Sequence, residues 1–230
     1  MIHAPAPTLH PATLEISKRD LRSFTADIEK RVLVAIARRL PNWIGPDHLT
    51  ALGAASMAGA SICYRLVTVS SFALIGVNVF LFLNWFGDSL DGTLARVRQK
   101  QRPRYGFYVD HLVDAFGAIF LLAGLGLSGL VPLLPALALL IAYLLLQVHI
   151  ALKAHTTRVF QIAFGGIGGT EARMLLAGMN TALMIAPGLQ AFGGPVAWAC
   201  AAVLVAVVVI DGIVTGRALD REERALWSDY

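Results

Sequence analysis

Four aspartates stand close together in an apolar part of the sequence. Asp88 and Asp91 close one apolar segment, and Asp110 and Asp114 open the next. The first pair is spaced i, i+3 and the second i, i+4, so on helices each pair shares one face, one turn apart. Ionisable side chains within such segments are costly and mark functional positions by default. Four carboxylates gathered without a cation repel strongly at low dielectric, and the cluster makes physical sense with divalent cations among them. An oxygen-only donor set, with no Cys or His in it, points to magnesium or manganese rather than zinc. Two such ions about 4 Å apart clamp a diphosphate and assist an in-line displacement at phosphorus. A structural role, in which the carboxylates pair with the basic loop between the segments, would not require all four on matching faces.

The neighbouring residues extend this reading. Gly92 follows Asp91, and Gly106 lies four residues before Asp110 on the same face. A missing side chain there lets a ligand approach the backbone. Ala95 continues the face of Asp88 and Asp91, and Arg96 is placed to meet a phosphate. Asp114 lies roughly 12 Å along the helix from Gly106, which puts the site just under a membrane interface.

The complete spacing is Asp88-x-x-Asp91-Gly92-x-x-Ala95-Arg96, nine further residues, then Gly106-x-x-x-Asp110-x-x-x-Asp114. It resembles the signature of the CDP-alcohol phosphotransferase family at all eight fixed positions. The resemblance implies that Asp88, Asp91 and Asp110 are ligands of two magnesium or manganese ions, with Asp114 beside the second. It also implies that Asp114 is the general base that deprotonates the acceptor hydroxyl. That hydroxyl attacks the phosphorus bearing the donor's alcohol, and CMP leaves. Gly92, Ala95, Arg96 and Gly106, with Asp88 and Asp110, resemble the family's cytidine-diphosphate cradle. A family element of the form P-N-x-x-T resembles Pro46-Asp47-His48-Leu49-Thr50, with Asp in place of Asn and Thr50 placed to contact the nucleotide. The resemblance further implies a homodimer.

The acceptor is less legible. Asp110-His111 resembles the pair found in choline and ethanolamine phosphotransferases, which act on diacylglycerol, but those enzymes are longer with more spans, so CDP-diacylglycerol is the preferred donor. His111 could equally hydrogen-bond a metal-bound carboxylate. A second polar group comprises Lys153, His155 and Arg158, then Gly168-Gly169-Thr170-Glu171-Ala172-Arg173, which reads as a turn and a capped helix start. Lys153, Arg158 and Arg173 could bind an acceptor or lipid phosphate, or serve only as positive-inside anchors. His149 reads as a satisfied interior histidine, and Asp211 carries no assigned role. Trp43, Trp85, Trp198 and Trp227 read as interfacial anchors or packing. Gly165, Gly166 and Gly168 do not form a phosphate loop, since no Lys-Ser/Thr follows and no strand precedes. Cys63 and Cys200 lie far apart in apolar stretches and read as small apolar residues.

These residues need elements to hold them. The chain has 230 residues, of which 57% are hydrophobic and 15% charged, and its mean hydropathy is +0.66. That excludes disorder and an ordinary soluble domain, and leaves an all-α polytopic membrane protein. Apolar segments fall near 49–66, 71–91, 108–128, 130–151, 173–191 and 194–215, which predicts six transmembrane helices. Residues 14–40 predict an amphipathic juxtamembrane helix. Leu21, Phe24, Ile28, Val32 and Ala35 form its apolar stripe, and Lys18, Arg19, Arg22, Lys30, Arg31, Arg38 and Arg39 occupy its other faces. It would lie on an anionic membrane surface or on the protein's own cytosolic face. The predicted organisation is a cytosolic N-terminal segment over 1–45, a six-span domain over 46–216 and a cytosolic tail over 217–230. No signal peptide is expected, because no uninterrupted apolar run occurs in the first 48 residues.

With six crossings starting inside, 18 of the 19 Lys and Arg residues fall on one side, Arg65 being the exception. Both termini and the site are therefore expected in the cytosol, at the cell membrane. This distribution makes the net charge of +4 a matter of topology, so no nucleic-acid partner is expected. A cation-coupled transporter is the weaker alternative, because transporter sites sit at the bilayer midplane on broken helices, and an inactive scaffold would not need the intact aspartate set.

Overall fold

The computed structural model describes residues 26–157 and 168–227, and among them the chain is helical with no strand. The helices are α1 (Ala26–Arg39), α2 (Pro46–Leu66), α3 (Ala73–Val97), α4 (Pro103–Leu127), α5 (Leu133–Thr157), α6 (Gly169–Ile185) and α7 (Gly193–Trp227). A short 3-10 helix, Pro187–Phe192, joins α6 to α7. Each predicted apolar segment is matched by one of the helices α2 to α7.

Among the described residues, four stretches are long and apolar enough to cross a membrane: Ala73–Val97, Pro103–Leu127, Leu133–Thr157 and Pro187–Leu226. Helix α6 spans only 17 residues. Helix α2 is less apolar because Gly, Ala and Ser fill it. That composition has a packing reason, since small residues let helix backbones approach closely. A Cβ on Gly87 of α3 would lie 2.5 Å from the Leu49 carbonyl oxygen and 2.8 Å from the Gly53 amide nitrogen. On its other side α2 meets α4, where a Cβ on Gly124 would lie 2.7 Å from Ser61 Cα and one on Gly117 3.1 Å from Met57.

The contacting pairs give the helix directions. Leu49 meets Gly87 and Cys63 meets Gly76, so α2 and α3 are antiparallel. Met57 meets Gly117 and Ser61 meets Gly124, so α2 and α4 run parallel. Helix α6 is antiparallel to α3, pairing Asn180 with Asn78 and Arg173 with Asp88. Helix α7 is parallel to α5, since Gly194 meets Pro132 and Asp211 meets Lys153. The starts of α2, α4 and α6 and the ends of α3, α5 and α7 therefore share one end of the bundle. All the predicted site residues in the described segments lie toward that end.

Two apolar clusters hold the helices together. One gathers Met57, Ala60, Tyr64, Leu74, Val77, Leu81 and Leu125 around Ala136, Leu183 and Ala197. The other joins Leu33 and Ala37 of α1 to Leu49, Leu90 and Leu94. A buried polar relay ties α2, α3 and α6. Tyr64 donates to Asn180 Oδ1 at 3.0 Å, and Asn180 Nδ2 donates to Asn78 Oδ1 at 2.9 Å. Asn78 Nδ2 in turn reaches the Ala177 carbonyl and Thr181 Oγ1, both at 3.2 Å. Arg65, the exception to the charge asymmetry, donates to the Leu127 carbonyl at the C-terminal end of α4.

Three expectations change. The face α1 buries is that of Leu33 and Ala37, while Val32 is 47% exposed and Ala35 also faces outward. One residue turns a helix by about 100°, and the partner α3 selects the face lined by Leu33, Ile36, Ala37 and Leu40. Leu21, Phe24, Lys18, Arg19 and Arg22 lie outside the described residues. Helices α3 and α4, whose aspartate pairs on matching faces would suggest direct packing, instead both pack along α2. Helix α7 continues past the expected end of the last span, through Arg217 to Trp227. Cys63 is half-buried and Cys200 exposed, both as free thiols.

Candidate functional site

The carboxylates are brought together by the α2–α3 crossing and the entry of α4. Pro46 begins α2, and the Gly45 amide donates to His48 Nδ1 at 2.9 Å. One turn later Thr50 faces α3. Because the backbones touch at Gly53 and Gly87, its short side chain reaches Asp91, donating from Oγ1 to Oδ2 at 2.6 Å. Asp91 Oδ1 accepts the Gly92 amide. Both oxygens of this buried carboxylate are thus engaged. Below it, Asn84 Nδ2 donates to the Gly53 carbonyl at 3.0 Å, while its buried Oδ1 has no partner among the described residues.

Asp88 points to α6, where Arg173 Nη2 donates to its Oδ2 at 2.8 Å. Helix α6 begins as the Gly-Gly-Thr-Glu pattern predicts, with the Gly168 amide donating to Glu171 Oε2 at 2.9 Å. That start sets Arg173 one turn into the helix. On α4, Asp114 lies near the Gln147 side chain of α5. Asp91 lies in the electrostatic field of Asp88 and Asp110, and Asp114 in that of Asp88, Asp91 and Arg173. The four aspartates therefore form one electrostatic cluster although α3 and α4 do not pack along each other.

The nucleotide-cradle candidates occupy the adjoining stretch of α3 and α4. Arg96 folds back along its own helix, donating from Nη2 to Thr93 Oγ1 at 3.0 Å, and its guanidinium lies 3.5 Å from where a Gly92 Cβ would stand. A Cβ on Gly106 would meet nothing within 4 Å, so open space adjoins that turn. Ala95 is half-buried. His111 turns onto its own helix, its Nδ1 at 2.9 Å from the Phe107 carbonyl and its ring 4.2 Å from the Phe107 ring.

The rim is held by two arginines. Arg98 donates to the carbonyls of Leu40, Pro41 and Ile44, the last two from either side of the bend that leads into α2. Arg102 pairs with Asp47 and stacks 4.1 Å from the Tyr105 ring centre. Asp47 thereby links the start of α2 to the start of α4.

Lys153 is not with the carboxylate cluster. Its Nζ donates to both oxygens of Asp211, at 2.9 and 2.7 Å, and His149 Nε2 lies 2.7 Å from the same carboxylate. This half-buried trio fastens α5 to α7 and gives Asp211 and His149 the partners that periodicity alone did not identify. Arg158, Gly165 and Gly166 lie outside the described residues.

Sequence reasoning missed Tyr143 and Gln147, and missed Arg173 as a carboxylate partner. Gln147 did carry a signal, being an amide within an apolar run. Among the described residues no three carboxylate, imidazole or thiol groups converge as a ready-made metal cage. Asp88 and Asp91 are instead turned to Arg173 and Thr50. The donor set still suits hard divalent cations: oxygen ligands only, mutually repelling, beside open space at Gly106. Rotation of these side chains away from their present partners would free the oxygens for that purpose.

No protein-family model matches the chain, and no curated protein matches it.

Proposed function

We propose that this chain is an integral-membrane CDP-alcohol phosphotransferase of phospholipid synthesis. It would transfer a substituted phosphate from a CDP-alcohol, with CDP-diacylglycerol as the preferred donor, to an acceptor alcohol. The observation that carries the reading is the gathering of Asp88, Asp91, Asp110 and Asp114, with Thr50, at the end of the bundle where the basic residues concentrate.

Magnesium or manganese ions held by Asp88, Asp91 and Asp110, with Asp114 beside them, would neutralise the donor's diphosphate when bound. The remaining steps belong to the chain. Gly92, Ala95 and Gly106 leave room for the nucleotide, and Arg96 swings from Thr93 to its phosphates. Thr50 orients Asp91. Asp114 takes the acceptor's hydroxyl proton, and the new oxygen–phosphorus bond forms as the bond to the CMP phosphate breaks. CMP leaves with the electron pair. Arg173, beside Asp88, is the basic residue best placed for an acceptor or lipid phosphate, and Lys153 is committed to Asp211.

Helices α2 and α6 complete six crossings in this reading. Their support is the strict alternation of helix direction from α2 to α7 and the confinement of 18 of 19 basic residues to alternate connections. Both termini and the site are then cytosolic, at the cell membrane, and the enzyme is a homodimer. The Asp110-His111 pair favours a second reading, transfer from CDP-choline or CDP-ethanolamine to diacylglycerol.

CMP release by the purified protein tests both readings. CDP-diacylglycerol and magnesium are supplied with inositol phosphate, glycerol phosphate, serine or inositol, and the CDP-aminoalcohols with diacylglycerol run alongside. Metal-dependent release that is lost in Asp114→Asn is the expected result. Silence with every donor, together with no binding of CDP, overturns the assignment and leaves a transporter or scaffold.

A further inference from the structure

Arg173 and Asp88 are joined in a way that cation binding would undo. Arg173 Nη2 donates to Asp88 Oδ2 at 2.8 Å, from one turn into α6 to the aspartate motif on α3. The guanidinium lies against the first turn of α6, with Nη1 3.2 Å from where a Gly169 Cβ would stand. The arginine side chain is only 17% exposed. A divalent ion on Asp88 repels the guanidinium and needs the same oxygen, so the two cannot share it. Once displaced, the guanidinium is a half-buried cation without its carboxylate, a costly state unless another anion takes its place.

The surroundings narrow the choice of that anion. Helix α6 is fastened to α3 further along, where Asn180 Nδ2 donates to Asn78 Oδ1 at 2.9 Å and Asn78 Nδ2 to the Ala177 carbonyl at 3.2 Å. Arg173 therefore changes partner by rotating its own side chain, and its reach stays beside the aspartates. Asp91 is engaged by Thr50 and by the Gly92 amide, so it offers no replacement. Arg98 holds the carbonyls of the bend before α2, Arg102 holds Asp47, and Lys153 holds Asp211. Cation loading at Asp88 breaks none of those contacts, and Arg173 is the cation it releases. A phosphate suits the released fork, which can donate two parallel hydrogen bonds to it. The donor's diphosphate is met by the ions and by Arg96 in the reading above, which leaves a phosphate on the acceptor.

We propose that Arg173 exchanges Asp88 for a phosphate carried by the acceptor when the divalent ions bind, so that the acceptor is a phosphorylated alcohol whose binding is coupled to cation loading; the inference rests on the phosphotransferase reading above. Each event removes what opposes the other. The cation releases the arginine, and the phosphate keeps the arginine off Asp88. The coupling has the same size in both directions.

The test uses the full chain in nanodiscs with CDP present, following manganese by electron paramagnetic resonance and the second ligand by calorimetry. Glycerol phosphate, inositol phosphate and inorganic phosphate are compared with glycerol and inositol. In the wild type the phosphate probes should tighten manganese binding by about threefold to tenfold, and manganese should tighten theirs by the same factor. Glycerol and inositol should do neither. Arg173→Gln should bind manganese without phosphate about as tightly as the wild type does with it, and its coupling should fall below about twofold. Arg173→Lys, which keeps the charge without the planar fork, should retain part of the coupling. Equal coupling in the wild type and Arg173→Gln overturns the inference alone. So do phosphate probes that fail to bind the manganese-loaded wild type, and plain alcohols that bind it as well as their phosphates; these two comparisons need neither variant. A wild-type protein that binds neither manganese nor CDP overturns the phosphotransferase reading and this inference with it.

Discussion

Thr50 and Asp91, 41 residues apart, are joined by a 2.6 Å hydrogen bond from the threonine hydroxyl to a buried carboxylate. The bond links the start of α2 to the aspartate motif on α3. Valine has nearly the same shape and no hydroxyl. Thr50→Val therefore leaves Asp91 Oδ2 without a donor, at a cost of about 1–3 kcal/mol. The expected outcome is a lower melting temperature and at least a tenfold loss of CMP release, with Thr50→Ser close to wild type on both. Thermal unfolding in detergent and the CMP assay check this. Equal behaviour of the Val and Ser variants would show that the hydroxyl has no role.

Arg173 occupies the Asp88 oxygen that a cation would need. Asp88 is 38% exposed, so water screens the pair and its worth is on the order of 1 kcal/mol. Arg173→Gln removes the competing cation. Manganese binding followed by electron paramagnetic resonance should tighten by about threefold to tenfold, even if acceptor turnover falls. Unchanged or weaker manganese binding would count against Asp88 as a ligand.

Two glycines make opposite predictions. A Cβ on Gly87 meets the backbone of Leu49 and Gly53, which no side-chain rotation relieves. Gly87→Ala should part α2 from α3 at a cost of about 1–3 kcal/mol or more, and carry Thr50 away from Asp91. At Gly106 the added methyl meets only open space. Gly106→Ala should melt like the wild type yet bind CDP at least about tenfold more weakly, because the methyl intrudes where the nucleotide would lie. Normal CDP affinity in Gly106→Ala would remove Gly106 from the cradle.

The His149–Lys153–Asp211 trio is placed to hold α7, not to do chemistry. Asp211→Ala leaves a half-buried lysine without its carboxylate and should cost about 1–2 kcal/mol. Replacing both partners, as Lys153→Met with Asp211→Leu, should recover much of that stability. Below their melting temperatures all these variants should release CMP at near wild-type rates. A selective loss of turnover in a stable variant would instead tie the trio to the site.

The aspartate spacing and the positions of helices α2 to α7 were legible along the chain, because each depends on local periodicity and on the cost of placing charge in apolar surroundings. The start of α6 was legible for the same reason, since Glu171 satisfies an amide only three residues away. The buried face of α1 was not. Its several apolar residues allow more than one stripe, and only contact with α3 selects Leu33 and Ala37 over Val32 and Ala35. Nor could spacing reveal that α2 is the helix on which α3 and α4 both pack, because small residues mark a close approach without naming the partner. The partners of the charges were decided by tertiary structure alone. Lys153 and Arg173 look alike in sequence, yet one meets Asp211 on α7 and the other Asp88 on α3. A long side chain's ion pair is set by which helix lies within its reach, and that depends on the packing of the whole bundle.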